Sequence, residues 1–535
     1  MWKTTLTNKI WGVNETFHLP RVVSVLNDEL GVAPISPWQT SLRAFAPRFG
    51  ARVAVASRGR TLTYAELGAQ AEAVRAAVIE AGVKPGEPVA IVARNGPGVV
   101  VASYGVMASG AAEFVVDLNL GPHDIAYAMR IIGIRRAIAE RDQAQRVAGL
   151  GLDVMVLEDI VAHPPREVAA PPFDWRAWGK AIMTSGTTGR PKAIVHRHDR
   201  RWHAHVLLRS HLPFVPGPDD RVLLPTAYAH GAGLLAAAWF ASGASIELIG
   251  GIDVAYADEL FARRDLTAVF APPTVLAKLV EGTRHKHIEG IKAVFCGTAT
   301  LQPALYHAAA ALFGPVIRVT YGKSEMFNPI TVLEPHAAAE YYRDLGVLDA
   351  VCLGTPATGV EVLVRDDVGR ACGPGEHGEI HLRSPHMMIG HADGDGFHEL
   401  PEGAFHATGD LGFLDERGRL FLAGRAHDLM KTGGYKIYPE EIERVLPGGM
   451  VVVGIPSAHW GEVIVAVAEG ASEDMTETVA RATAGLARYK QPRACLVVGK
   501  IPRSLQGKVQ RSQVRELVLQ RYAMTDGPYP RFELR

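Results

Sequence analysis

Apolar residues follow two periods along this chain. Between residues 61 and 83, Leu67, Ala71, Val74, Ala77 and Val78 recur at helical spacing, the period of a helix with one buried stripe. Thr63 and Glu66, just before them, form the Thr-x-x-Glu signal of a capped helix start. Residues 88–93 are a short continuous apolar run, which predicts a buried strand. The longest uncharged run, residues 98–112, contains Gly and Ser and is shorter than a membrane span, so it predicts a buried helix. Residues 113–118 are strand-like again, and the same rhythm returns at 221–225, 245–250, 266–273, 291–297 and 316–322. This alternation predicts an α/β fold in which parallel sheets are covered by helices.

The texture changes after about Leu353. Short strand-like pieces at 359–370, 378–384 and 418–425 are separated by Gly-rich turns, which predicts a small β-rich lobe at about 353–426. Strand and helix patterns then alternate at 440–448, 451–455, 463–470 and 495–500. That is enough for a separate α+β domain of ordinary size. Gly and charge interrupt the periodicity at 424–434, so the expected division is 1–426 and 427–535.

One polar interruption stands out. At 183–196, "MTSGTTGRPKAIVH", hydroxyls, glycines and a lysine separate two apolar runs. Gly186 and Gly189 allow close backbone approach to a ligand. Successive N–H groups in such a turn converge on phosphate oxygens, with Ser185, Thr187 and Thr188 adding hydroxyls and Lys192 a charge. The spacing fails the pattern of P-loop nucleotidases, which needs four residues between Gly and Gly-Lys-Ser/Thr. Taken alone, the loop fits either a phosphate cradle or a surface hairpin.

Composition narrows the class. A chain of 535 residues exceeds one ordinary core. Lys plus Arg and Asp plus Glu are both 56, so no net charge draws it to nucleic acid or to an anionic membrane. Cys296, Cys352, Cys372 and Cys495 form no CxxC pair, which predicts no disulfide framework and fits a cytoplasmic protein. The first 17 residues lack the apolar stretch of a signal peptide. His196, His198, His203 and His205 lie close together without Cys or carboxylate at ligand spacing, which argues against a metal site there.

The loop has companions in a fixed order. "TSGTTGRPK", "TYGKSE" (320–325), "FHATGD" (405–410), "GRAHDLMKTGGYKIYPEEIE" (424–443) and "IPRSLQGKVQR" (501–511) together resemble the signature motifs of the adenylate-forming superfamily. That superfamily comprises acyl- and aryl-CoA ligases, amino-acid-activating domains and beetle luciferases. The likeness runs from about residue 60 to 515 and is closest in type to acyl/aryl-CoA synthetases. It implies that a carboxylate attacks the α-phosphate of ATP to give acyl-AMP and pyrophosphate, and that the acyl group passes to coenzyme A. A carrier protein or partner enzyme is the alternative acceptor. Two anions must meet in the first step, so catalysis rests on positioning and on positive charge.

The resemblance also implies roles. Thr184, Ser185, Gly186, Thr187, Thr188, Gly189 and Lys192 would hold the β- and γ-phosphates. Glu325, with Thr187, would ligate Mg²⁺, a hard cation that takes oxygen ligands. Tyr321 and the segment Gly297, Thr298, Ala299 would flank adenine, next to Gly322 and Ser324. Asp410 would accept the ribose hydroxyls, Arg425 would hold ribose and phosphate, and Lys508 would bridge carboxylate and α-phosphate as the terminal catalytic lysine. His230 matches the aromatic gate between acyl site and pantetheine tunnel, and Gly433 and Gly434 the turn lining that tunnel.

Residues 227–239 hold no acid, where amino-acid-activating members carry an Asp for the substrate ammonium. This disfavours a free amino acid and leaves aryl, fatty or polycyclic acids. Ala229, Gly231, Ala232 and Gly233 fit either a roomy acyl pocket or close helix packing. At the swivel position, usually Asp or Lys in the family, stands His427.

Overall fold

The computed structural model describes residues 35–169, 171–184, 191–344, 350–470, 475–503 and 509–535. The elements that carry the site are β1 (Trp178–Thr184), β2 (Lys192–Arg197), α1 (Gly233–Phe240), β3 (Ala268–Phe270), β4 (Ala293–Gly297), β5 (Ile317–Tyr321), β6 (His406–Leu414) and β7 (Leu420–Arg425). The α/β expectation holds. Six parallel strands, Val53–Ser57, Ser245–Leu248, Arg221–Leu224, β3, β4 and β5, form one half of a thirteen-stranded sheet. Their apolar runs are buried on both faces, as a helix-covered parallel sheet requires.

A second sheet of eight strands contains β1, β2 and four parallel strands from the N-terminal part. Helices Tyr64–Glu80 and Pro97–Ser109 pack against one another in the large core cluster that also takes in α1. The first is capped as its sequence predicts. The Thr63 hydroxyl accepts from Glu66 N, while the Glu66 carboxylate accepts from Thr63 N at 2.8 Å. The uncharged run is the second of these helices, buried along its length.

Where β1 meets the N-terminal strands lies a buried ionic knot. Glu113, fully buried, receives Lys180 of β1 and Arg201 of the helix His198–Ser210, the latter at 2.6 Å. Ser103 donates to the other carboxylate oxygen. Burial opposes ionisation of Glu113, but the two cations outweigh it and hold its carboxyl below the usual range. The knot ties two strands and two helices at one point, and its charges are paired and hydrogen-bonded, the condition for burying them at all.

The 353–426 stretch is not a separate sheet. Val351–Pro356, Glu361–Arg365, Gly378–Arg383, β6 and β7 continue the thirteen-stranded sheet in antiparallel order. Gly354 stands at the passage between the two halves, at a register shift. Its φ is +83°, and a Cβ there would lie 1.9 Å from Val332 O, so only glycine fits. The hairpin Gly390–Asp393/Gly396–Glu399 leaves this sheet and pairs with β2 of the other, Gly390 opposite Val195. It covers the hydrogen-bonding edge that β2 would otherwise expose.

The last hundred residues build a five-stranded sheet from Met430–Thr432, Tyr435–Ile437, Val451–Ser457, Gly461–Glu469 and Ala494–Val498. Alternation along its strands sends Val452, Ile464 and Ala466 to one apolar cluster, and Val451, Val453, Val463 and Val465 to another. The helix Arg511–Arg521 closes the second face through Val514 and Val518. Residues 440–448, which open the strand–helix rhythm in the sequence, begin with the short helix Pro439–Glu443. Among the described residues no helix is long and apolar enough to cross a membrane.

Candidate active site

Thr184, the last residue of β1, pairs with Lys192, the first residue of β2. Ser185, Gly186, Thr187, Thr188 and Gly189 lie outside the described residues, as does Lys508.

The C-terminal ends of β4 and β5 carry the predicted positions Gly297 and Tyr321. Gly297 pairs with Thr320, and Tyr321 ends β5. Thr298 follows with φ +71°, a left-handed conformation that a β-branched side chain rarely adopts. Strain of this kind collects at ligand sites. Thr298 and Ala299 are exposed on this edge. A Cβ on Gly322 would stand 2.4 Å from Asn328 Oδ1, so this motif glycine allows the Asn328 amide to lie against the backbone.

β6 and β7 bring Asp410 and Arg425 to the same place, directly opposite one another. Tyr321 donates its hydroxyl to Asp410 Oδ2. Lys323 donates to the same oxygen at 2.9 Å and to Thr408 O at 2.7 Å. Arg425 Nε lies 3.5 Å from Oδ1. Burial pushes the Asp410 carboxyl up, but Lys323 and Arg425 outweigh it and hold it below the usual carboxylate range. Burial first and Asp410 second raise the Tyr321 phenol well above its ordinary value. The result is an ionised, buried carboxylate next to a tyrosine ring, with the oxygen facing Arg425 less saturated than the one facing Lys323.

Ser324 and Glu325 continue the segment. His196 of β2 donates from Nε2 to Ser324 O at 2.7 Å and stacks on Phe327 at 4.0 Å. Burial drives its pKa down to about 3, so it is a neutral structural donor. Glu325 is half-buried, and its backbone oxygen accepts from Met388 N at 2.8 Å. The charges of Glu325 and Lys192 both act on His406, the first residue of β6, whose pKa burial lowers to about 4. They also act on His391. The half-buried carboxylate and the lysine therefore stand at one junction, where the carboxylate oxygens are of the kind a hard divalent cation takes.

Lys323 and His406 belong to this cluster although the motif reading gave them no role. Both sit inside quoted motifs, and the charge of Lys323 within its motif was the one local signal that could have singled it out. His196, His198 and His205 of the histidine run are buried. Among the described residues the one metal-compatible group lies elsewhere, at His391, Asp393 and His398 on the covering hairpin.

His230 interrupts the helical turn Tyr228–Ala232 with φ −109° and ψ −139°, which turns its half-buried side chain away from the regular helical path. A Cβ on Gly233 would lie 2.5 Å from Tyr228 O, and one on Gly231 3.1 Å from Phe270. These small residues serve close packing. Gly433 and Gly434, with φ +54° and +85°, form the two-residue loop of the hairpin Met430–Thr432/Tyr435–Ile437, a turn that needs positive φ at both positions.

The chain belongs to the AMP-binding enzyme family, whose model matches residues 42–391. It is an adenylate-forming enzyme of the acyl/aryl-CoA synthetase type. It is 28% identical to a 2-succinylbenzoate–CoA ligase of Geobacillus kaustophilus, over 87% of this chain and 95% of that one. It is also 28% identical to a feruloyl-CoA synthase of an Amycolatopsis species, over 91% and 99%. Among solved structures, the amide bond synthetase McbA of Marinactinospora thermotolerans superposes with a TM-score of 0.77 at 26% identity, covering 90% of this chain and 99% of that one.

Proposed function

We propose that this enzyme joins a carboxylic acid to ATP, releasing pyrophosphate, and then transfers the acyl group from acyl-AMP to coenzyme A. The observation that carries the reading is the Asp410 cluster. A buried carboxylate kept ionised by Lys323 and Arg425, beside the Tyr321 ring, is suited to accept the two hydroxyls of a ribose. Thr184 to Lys192 would take the β- and γ-phosphates, and Gly297, Thr298 and Ala299 the adenine edge. Glu325, with Thr187, would hold Mg²⁺, which supplies positive charge at the phosphates when bound.

The chain's own residues divide the work. Asp410 and Tyr321 fix the nucleoside. Lys192 and Lys508 supply positive charge where the acid carboxylate approaches the α-phosphate. His230 separates the acyl site from the path of the thiol, and the turn at Gly433 and Gly434 lines that path. Residues 427–535 act as a second body that exchanges Lys508 for this turn between the half-reactions. The acid-free segment 227–239 favours an aryl, fatty or polycyclic acid over a free amino acid.

The likeness to an amide bond synthetase supports a second reading, in which acyl-AMP passes to an acceptor other than coenzyme A. The test is pyrophosphate release across a panel of carboxylic acids, with mass spectrometry of the products with and without coenzyme A. An acyl-CoA product supports the first reading, acyl-AMP accumulating despite coenzyme A supports the second, and acid-independent pyrophosphate release sinks both.

A further inference from the structure

The hairpin that covers β2 carries three metal-compatible side chains on one face. His391 and Asp393 are two apart on the strand Gly390–Asp393, so both point away from the core cluster that Ala392 enters between them. The strand Gly396–Glu399 returns antiparallel and sets His398 directly opposite His391. His398 thus joins the other two only because the chain turns at 394 and 395. His391 lies opposite Ile194 and Ala392 opposite Ala193, so the strand runs along β2 toward Lys192 at its start.

Both imidazoles turn Nε2 to the same carboxylate. His398 Nε2 lies 3.0 Å from Asp393 Oδ1, and His391 Nε2 lies 3.8 Å from Oδ2. The two rings stack at 4.9 Å with 24° between their planes. One ligand atom from each residue lies within 4.8 Å of the others. Ligands bound at about 2.0–2.1 Å around a tetrahedral ion stand about 3.3–3.4 Å apart, so small side-chain rotations bring all three into place. Asp395 N donates to Asp393 Oδ1 at 2.9 Å and fixes the carboxylate. That N–H and His398 hold the Asp393 carboxyl below its usual range, so it is ionised. Burial first and the Lys192 charge second lower the His391 ring, which is therefore neutral at pH 7, the form that binds metal.

We propose that His391, Asp393 and His398 form a site for a divalent ion of the Zn²⁺ class, separate from the Mg²⁺ proposed at Glu325. Two imidazoles with one carboxylate suit Zn²⁺, whereas Mg²⁺ takes oxygen ligands. Three protein ligands leave a fourth position, which water fills because His398 is exposed. The ion takes the Nε2 lone pair of each ring and one Asp393 oxygen. The His398 hydrogen that pairs with Asp393 moves to Nδ1, so both rings bind as neutral imidazoles. The ion then clamps the two strands of the hairpin across their outer face. It needs no nucleotide, unlike a Mg²⁺ held among substrate phosphates.

The test uses the whole chain, stripped of metal by a chelator and free of nucleotide. ZnCl₂ is titrated by calorimetry in excess Mg²⁺, and CoCl₂ is followed by visible absorption. One equivalent of Zn²⁺ is expected to bind and to raise the thermal midpoint, and bound Co²⁺ to show the bands of tetrahedral nitrogen–oxygen ligation. Losing an outer-shell partner of a ligand costs about 10–100-fold in metal affinity, so losing a ligand outright in His398→Gln is expected to cost about 100-fold or more. The His398 side chain is exposed, which makes this variant the safer one; His391→Gln is the second, and either suffices once its metal-free midpoint matches that of the native enzyme. Absence of saturable binding, displacement of Zn²⁺ by Mg²⁺, or unchanged Zn²⁺ affinity in the variants would overturn the proposal, the last result placing the ion on other histidines.

Discussion

Thr298 and Asp410 show how single residues are committed to the candidate nucleotide site. Thr298 holds a left-handed backbone that glycine would take freely. Thr298→Gly is therefore expected to raise stability by about 1 kcal/mol, read as a higher denaturant midpoint. If the strain orders the edge for adenine, the same variant raises KM for ATP. Asp410→Asn keeps the shape but removes the charge that Lys323 and Arg425 face. Weakened binding of the ribose hydroxyls is expected to cost about 1.5–3 kcal/mol, or tenfold or more in apparent ATP affinity. The pyrophosphate-forming step should change less, since the ribose is remote from the reacting phosphorus. An unchanged affinity would remove Asp410 from this role. Tyr321, Asp410 and Arg425 were legible because each sits in a short motif. Lys323 was not, since its partners at 408 and 410 are more than eighty residues away and meet it only through sheet pairing.

At the scale of elements, β2 and the helix His198–Ser210 bury histidines that a surface helix would expose. Burial lowers His196 and His205 to about 3, and His198 and His386 to about 4. The unfolded chain binds these protons near pH 6.5, the folded one only far lower. Between those values the unfolded state holds more protons, so stability falls as pH drops from about 6.5 toward 4. Each group contributes up to about 1.4 kcal/mol per pH unit. His205 stacks on Trp202 at 5.0 Å and meets Trp38 edge-on, a setting that suits an aromatic ring without charge. His205→Phe should reduce the loss of urea midpoint between pH 7 and 5. An identical acid slope in the variant would refute this cause. Element type followed the apolar periods well, from the capped helix at Thr63 to the parallel strands ending in Gly297 and Tyr321. Sheet membership did not. Nothing local tells residues 390–399 to join a different sheet from the strands on either side, because that choice depends on the open edge of β2.

In the whole molecule, the region after β7 decides what would turn. Arg511 reaches Glu440 at 3.0 Å, Glu443 at 2.7 Å and Asp428 at 4.0 Å. This bridge carries Asp428 with the C-terminal sheet, so a rotation of that part would pivot just before it, at Ala426 and His427. His427 already leans on Asp428 at 3.4 Å. If it favours one orientation by about 1.4 kcal/mol, the ratio of orientations changes tenfold. His427→Asp is then expected to alter the rate of acyl-CoA formation relative to acyl-AMP formation. Following the two products separately decides it, and equal ratios in both enzymes would leave His427 a passive pivot. Lys508→Ala is expected to slow acyl-AMP formation by about 10²–10³-fold while ATP still binds; near-normal adenylation would clear Lys508 of that role.

The crossing hairpin links these scales. Its first strand, Gly390–Asp393, lies on β2, and the chain that leaves the hairpin runs within a few residues into β6 and Asp410. The chain crosses here from the thirteen-stranded sheet to β2 and back, so the covalent path between the strand beside Lys192 and the strand of Asp410 is short, and a substitution that detached the hairpin from β2 would free both ends of the proposed nucleotide site at once.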